Sequence, residues 1–172
     1  KSRDASYLAL DQVYIHAKFP LLICSSLCLC VSVVDGFNMF NPTREQARQF
    51  LFDSWRKRRS GELLTPMEDL VAQLIDKHPE YHAVLGNPEH HQDQGYTPES
   101  GAPNPFLHLM MHLTIEEQIS IGQPHGIREH FRRLSEHFQS EHEAQHRMME
   151  CLGEMLWQAQ RNGTAPDAAV YL

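Results

Sequence analysis

The chain has 172 residues, a formal net charge of −7 and 41% hydrophobic residues, enough for one ordinary domain with a sizeable core and no reason from length to expect two. So acidic a chain carries no electrostatic footprint for nucleic acid or for an anionic membrane, and neither is expected as a partner. The basic run Arg56-Lys57-Arg58-Arg59 does not change this, because it falls at a predicted helix C-terminus, where positive charge complements the helix dipole.

In chain order, the first feature is the uncharged apolar run FPLLICSSLCLCVSVV over residues 19–34, short for a membrane span and the size of a signal-peptide core. No methionine precedes Met39 and no clear small-x-small cleavage site follows the run. Residues 1–38 are therefore expected to be a non-native extension or signal-like segment outside the fold. The rival reading is a genuine membrane-directing segment, which would make the protein exported or anchored. Three of the four cysteines, Cys24, Cys28 and Cys30, fall in this run. Cys151 alone cannot form a disulfide within the rest of the chain, which points to a reducing compartment and a cytoplasmic protein.

From Met39 onward the pattern is helical. Asn41 or Thr43 can cap a first helix over about residues 43–59, in which Ala47, Phe50, Leu51, Ser54 and Trp55 recur at helical spacing and Ser60-Gly61 forms the stop. Thr65 caps a second helix with Pro66 at its first position, running through Leu70, Val71, Leu74 and Ile75 to His78, where Pro79 breaks it. Residues 86–105 are rich in glycine and proline and read as one long irregular connection. A third helix follows Asn104-Pro105 to about Ile121, a fourth covers about Gly126 to Gln139, and a fifth opens at the capping-box sequence Ser140-Glu141-His142-Glu143 and ends near Arg161-Asn162-Gly163. The expected architecture is all-α: a single domain over 39–163, a compact bundle of about five helices with the loop at 86–105, and a flexible tail at 164–172.

Twelve histidines are the main anomaly of composition. The third helix carries His108, His112 and Glu116, and the fifth carries His142, His146 and Glu150, so both contain His-x3-His-x3-Glu. Residues four apart lie one turn above each other, so each triplet places two imidazoles and a carboxylate on one stripe. Two stripes facing each other would supply nitrogen and carboxylate ligands for iron, zinc or manganese. His78 and His82 are also four apart, but Pro79 lies between them, which places them at a helix end where they cap or flank a site. Glu117, Glu143 and Glu154 are further carboxylates on these helices.

The surroundings of His108 and His112, Phe106-Leu107-His108-Leu109-Met110-Met111-His112-Leu113, are apolar nearly all round and predict burial. A buried histidine needs a partner, and a metal, a glutamate or a backbone carbonyl each satisfies that need. His142 and His146 have polar flanks and then an apolar run from Met148 to Trp157, which is read as core packing. Other chemistries lack their motifs: after residue 39 there is no glycine-rich phosphate loop, no Cys-x2-Cys pair and no nucleophile elbow. Cys151, beside Leu152 on an apolar helix, reads as an inert thiol.

Several segments match one family in order: Met39-Phe40-Asn41-Pro42, His78-Pro79-Glu80-Tyr81-His82, Asn104-Pro105-Phe106-Leu107-His108 through Glu116-Glu117-Gln118, and Met149-Glu150-Cys151-Leu152-Gly153-Glu154-Met155-Leu156-Trp157. Over about residues 39–163 the chain resembles the bacterial domain-of-unknown-function family numbered eighteen-forty-one. The resemblance implies that members begin at the position of Met39, and it implies no activity. Two functions are thus expected to compete. One is a metal-binding bundle with His108, His112, Glu116, His142, His146 and Glu150 as ligands. The other is a non-enzymatic interaction module, meeting a protein partner or its own copy, whose histidines form a structural polar network. A pH-sensitive module is a third, from the number of groups that titrate near neutrality.

Overall fold

A computed structural model describes residues 43–96 and 103–172. The expectations for residues 1–38, including the apolar run at 19–34, lie outside the described residues, as does the stretch 97–102 of the long connection. Among the described residues the fold is all-α, with no strand and with no helix long and apolar enough to cross a membrane. The described chain falls into two units. An N-terminal unit comprises residues 43–95 and 104–113, and a C-terminal unit comprises residues 96, 103 and 114–172.

Helix α1 (Arg44–Ser60) and helix α2 (Pro66–Asp76) start in the same way. The threonine before each accepts a hydrogen bond from the backbone N–H three residues on, and the Gln46 or Glu68 side chain returns one from the threonine N–H. Each reciprocal cap is worth about 1 kcal/mol. Glu68 does more: its carboxylate also takes the Lys57 ammonium at 2.7 Å, which holds its pKa below the ordinary carboxylate value. The basic run at the end of α1 is thus tied to α2, through Lys57 to Glu68 and Arg58 to Asp76. Between the two helices, Leu51, Phe52, Trp55, Val71, Ala72, Leu74 and Ile75 are buried.

The second helix stops two residues before its expected end at His78, and the cause is local. In a continuing helix the Ile75 carbonyl would accept from the N–H of residue 79, but Pro79 has none. The chain tightens instead, with His78 N–H on the Ile75 carbonyl at 2.9 Å, and passes through a 3-10 turn (Pro79–Tyr81) into the one-turn helix α3 (His82–Leu85). Another single turn, α4 (Pro88–His91), occupies part of the connection expected to be irregular.

Helix α5 (Pro105–Ile121) gives its first half to this unit. Asn104 caps it through the N–H groups of Phe106 and Leu107. Phe106 is buried with its ring edge-on to Phe52 at 5.3 Å and beneath the buried Arg48 guanidinium at 4.6 Å. Arg48 in turn donates to the carbonyls of His91 and Gln92, so a single cation joins α1, α4 and α5.

The C-terminal unit holds the second half of α5, α6 (Ile127–Phe138), α7 (Glu141–Asn162) and α8 (Ala168–Tyr171). The turn after α5 requires glycine at 122, where φ is +72° and a Cβ would stand 3.1 Å from the Arg128 guanidinium carbon. Arg128 reaches back from α6 to the exposed carbonyls of Ile119 and Ser120 and so closes the end of α5. The two helices α6 and α7 are separate, since Gln139 is left-handed (φ 53°) and Ser140 caps α7 by accepting from Glu143 N–H. Met148, Met149, Leu152 and Met155 of α7 are buried as the apolar run predicts. The segment expected to be a flexible tail contains α8 instead, with Tyr171 buried and its hydroxyl donating to Gln118 Oε1 at 2.7 Å.

The expected five helices are therefore eight among the described residues, the additional three being single turns. Because Phe106 ties α5 to α1 through both Phe52 and the Arg48 guanidinium, Phe106→Ala is expected to cost about 3–5 kcal/mol. A shift of the urea-unfolding midpoint checks it; a loss under about 1 kcal/mol would remove this residue from the core.

Candidate metal centre

The last carbonyls of α2 are reached by two imidazoles. His78 Nδ1 lies 2.7 Å from the Leu74 carbonyl and His82 Nε2 lies 2.9 Å from the Ile75 carbonyl. A carbonyl only accepts, so in each ring the nitrogen concerned carries the hydrogen. For His82 this spends Nε2, and its ring packs on Trp55 at 4.4 Å between centroids. For His78 it spends Nδ1 and turns Nε2 the other way, towards α5.

There His78 Nε2 meets Nε2 of His108 at 3.0 Å. Since His78 Nε2 is the bare nitrogen, His108 Nε2–H is the donor of this bond. One turn further along α5, the His112 ring stands 4.7 Å from that of His78 and 4.9 Å from that of His108. One ligand nitrogen from each of the three lies within 4.8 Å of the others. The site is dry: His78 is 1% exposed, His112 0% and His108 9%. Tyr81, the last residue of the 3-10 turn, stacks parallel to His78 at 5.7 Å and edge-on to His108 at 5.4 Å.

The donor set suits a borderline divalent ion. Two nitrogens about 2.1 Å from one ion lie about 3.0–3.4 Å apart for angles between a right angle and the tetrahedral one, which brackets the observed His78–His108 separation. The Nδ1–H to Leu74 carbonyl bond is the kind of outer contact that fixes the tautomer of a metal-ligating histidine. An ion would replace the single hydrogen now shared between the two Nε2 atoms.

Of the residues expected as ligands, His108 and His112 are thus brought together in the N-terminal unit. Their third companion is His78, which the sequence places only at a helix end. The remainder lie in the C-terminal unit. There the His142 and His146 rings are 4.3 Å apart, as neighbours on one stripe of α7. The Glu116 carboxylate accepts from Gln145 Nε2 at 2.6 Å, and Gln145 is only 2% exposed. Glu150 is engaged in an ion pair with Arg147, and Glu154 accepts from Gln158. Glu117 has a buried carboxylate oxygen with no hydrogen-bond partner among the described residues, and burial raises its pKa above the ordinary 4.5.

A family model described as "Domain of unknown function (DUF1841)" covers residues 43–172. No curated protein and no solved structure matches the chain.

The raised Glu117 pKa has a definite sign in stability. The folded state binds this proton more tightly than the unfolded chain does, so the ionised carboxylate costs stability above the raised value and nothing below the ordinary one. Glu117→Gln is therefore expected to raise the thermal midpoint at pH 7, with a gain that shrinks as the pH falls into the ordinary carboxylate range. Melting curves across pH check this, and a variant less stable than the wild type at pH 7 would assign the carboxylate a partner.

Proposed function

The chain belongs to the DUF1841 family, a domain of unknown function, and on that premise we propose that it is a helical protein that binds a transition-metal ion through His78, His108 and His112. The observation that carries this reading is the convergence of three buried imidazoles whose ligand nitrogens lie within 4.8 Å of one another. Imidazole donors favour iron or zinc over manganese, which prefers oxygen ligands. Three imidazoles that leave a coordination position open would supply Lewis-acid chemistry.

A second reading has its own support. The ring nitrogens of His78 and His108 already have protein partners, the Leu74 carbonyl and each other, as a purely structural histidine network would require.

Elemental analysis and zinc or cobalt titration of the full chain, purified without chelator, separate the two. Metal binding predicts about one ion per chain, and predicts that His78→Ala or His108→Ala weakens uptake beyond the roughly 10–100-fold typical of losing an outer partner. His82→Ala should leave uptake intact while costing about 1 kcal/mol for its bond to the Ile75 carbonyl. Wild-type protein that takes up no ion, in a fold that His78→Ala destabilises, would favour the network.

A further inference from the structure

The start of α7 carries a second group of chemistry-bearing side chains that the three-histidine centre does not use. Residues 142–146 read His-Glu-Ala-Gln-His, two imidazoles four apart with a carboxylate directly after the first. All five lie in regular helix, whose start is fixed by Ser140 accepting from the Glu143 N–H. On a helix, residues three and four apart are neighbours, so His146 shares one patch with both His142 and Glu143. The two rings stand 4.3 Å apart, as that spacing requires.

The patch is anchored from behind and reached by solvent in front. Ala144 and Gln145, the two residues between, are 0% and 2% exposed, and Gln145 donates to the Glu116 carboxylate at 2.6 Å. His142, Glu143 and His146 are each half-buried, so water and a substrate carbonyl have access that a fully buried cluster denies. Two imidazoles one turn apart chelate a borderline divalent ion such as Zn²⁺ and leave its other positions to water and substrate. A glutamate directly after the first of them is the residue that takes a proton from such a water in metal-dependent hydrolysis.

Independently of the three-histidine centre, we propose that His142 and His146 hold a second divalent ion and that Glu143 is the general base for hydrolysis of an amide bond there. The water oxygen bonds to the carbonyl carbon as its proton passes to Glu143. The C–N bond then breaks and that proton leaves on the nitrogen, so an amide and one water become a carboxylic acid and an amine. The substrate class is peptide rather than phosphate ester, since a chain of net charge −7 repels polyanions.

Zn²⁺ titration of the full chain, run beside cleavage of fluorescently labelled casein, tests the proposal. With two protein ligands the site is weaker than one with three, so the wild type is expected to take a second, weaker Zn²⁺ beyond the ion of the three-histidine centre, and to cleave casein as that second ion binds. His142→Ala should lose the second ion and the cleavage together; if it folds poorly by circular dichroism, His142→Gln is expected to show the same losses. Glu143→Gln should keep the second ion and lower cleavage by about a hundredfold or more. Wild-type protein with no second equivalent, or a folded His142 variant that retains it, would overturn the site. A second ion without cleavage, or cleavage untouched by Glu143→Gln, would overturn the hydrolytic role. A chain whose sole equivalent is the one removed by His142→Ala would support this site while sinking the three-histidine reading.

Discussion

Much of the N-terminal unit follows from a missing hydrogen at residue 79. Proline cannot donate to the Ile75 carbonyl, so α2 ends in a tightened turn whose Leu74 and Ile75 carbonyls accept from the Lys77 and His78 N–H groups and each take an imidazole as a second donor. These bonds orient the imidazoles. His82 is turned onto Trp55 and is used up, whereas His78 is left with a nitrogen that faces α5. A helix-ending device thereby becomes one wall of a polar cluster inside an apolar core.

The other walls come from a different cause. In α5 nearly every residue from Phe106 to Leu113 is apolar, so there is no polar face to which His108 and His112 could be turned. They are buried because the helix is, and their four-residue spacing puts them on the side that meets His78. Arg48 holds this helix in register with α1 and α4 through Phe106 and two carbonyls, again a polar group satisfied by backbone rather than by a surface ion pair. The exposed pairs on the outside, such as Arg132 with Glu129 and Glu136, contribute little by comparison.

How far the sequence discloses all this depends on element length. The five long helices are legible because each has a cap, a period and a stop: Thr43, Thr65, Asn104, Gly126 and Ser140 open them within a residue or two of where the pattern predicts. The single turns α3, α4 and α8 are too short to express a period. Tyr171 is buried through a bond to Gln118, 53 positions earlier, which no local pattern encodes. The burial of His108 and His112 is legible from their neighbours. The part played by His78 is legible only as that of a histidine at a helix end that caps or flanks a site, because it arises where the helical period has already failed.

Two tryptophans serve the whole chain, and the fold assigns one to each unit. Trp55 is buried on α1 against the His82 imidazole, at the spot where α2 gives way. Trp157 is partly exposed on α7, beneath the Arg161 guanidinium at 5.0 Å. Their indoles sit in unlike surroundings, one dry and beside a heteroaromatic ring, the other wet and beside a cation, so their emission maxima should differ. The natural chain thus carries two separable fluorophores, and unfolding followed by intrinsic fluorescence can be resolved into the melting of either half without any label.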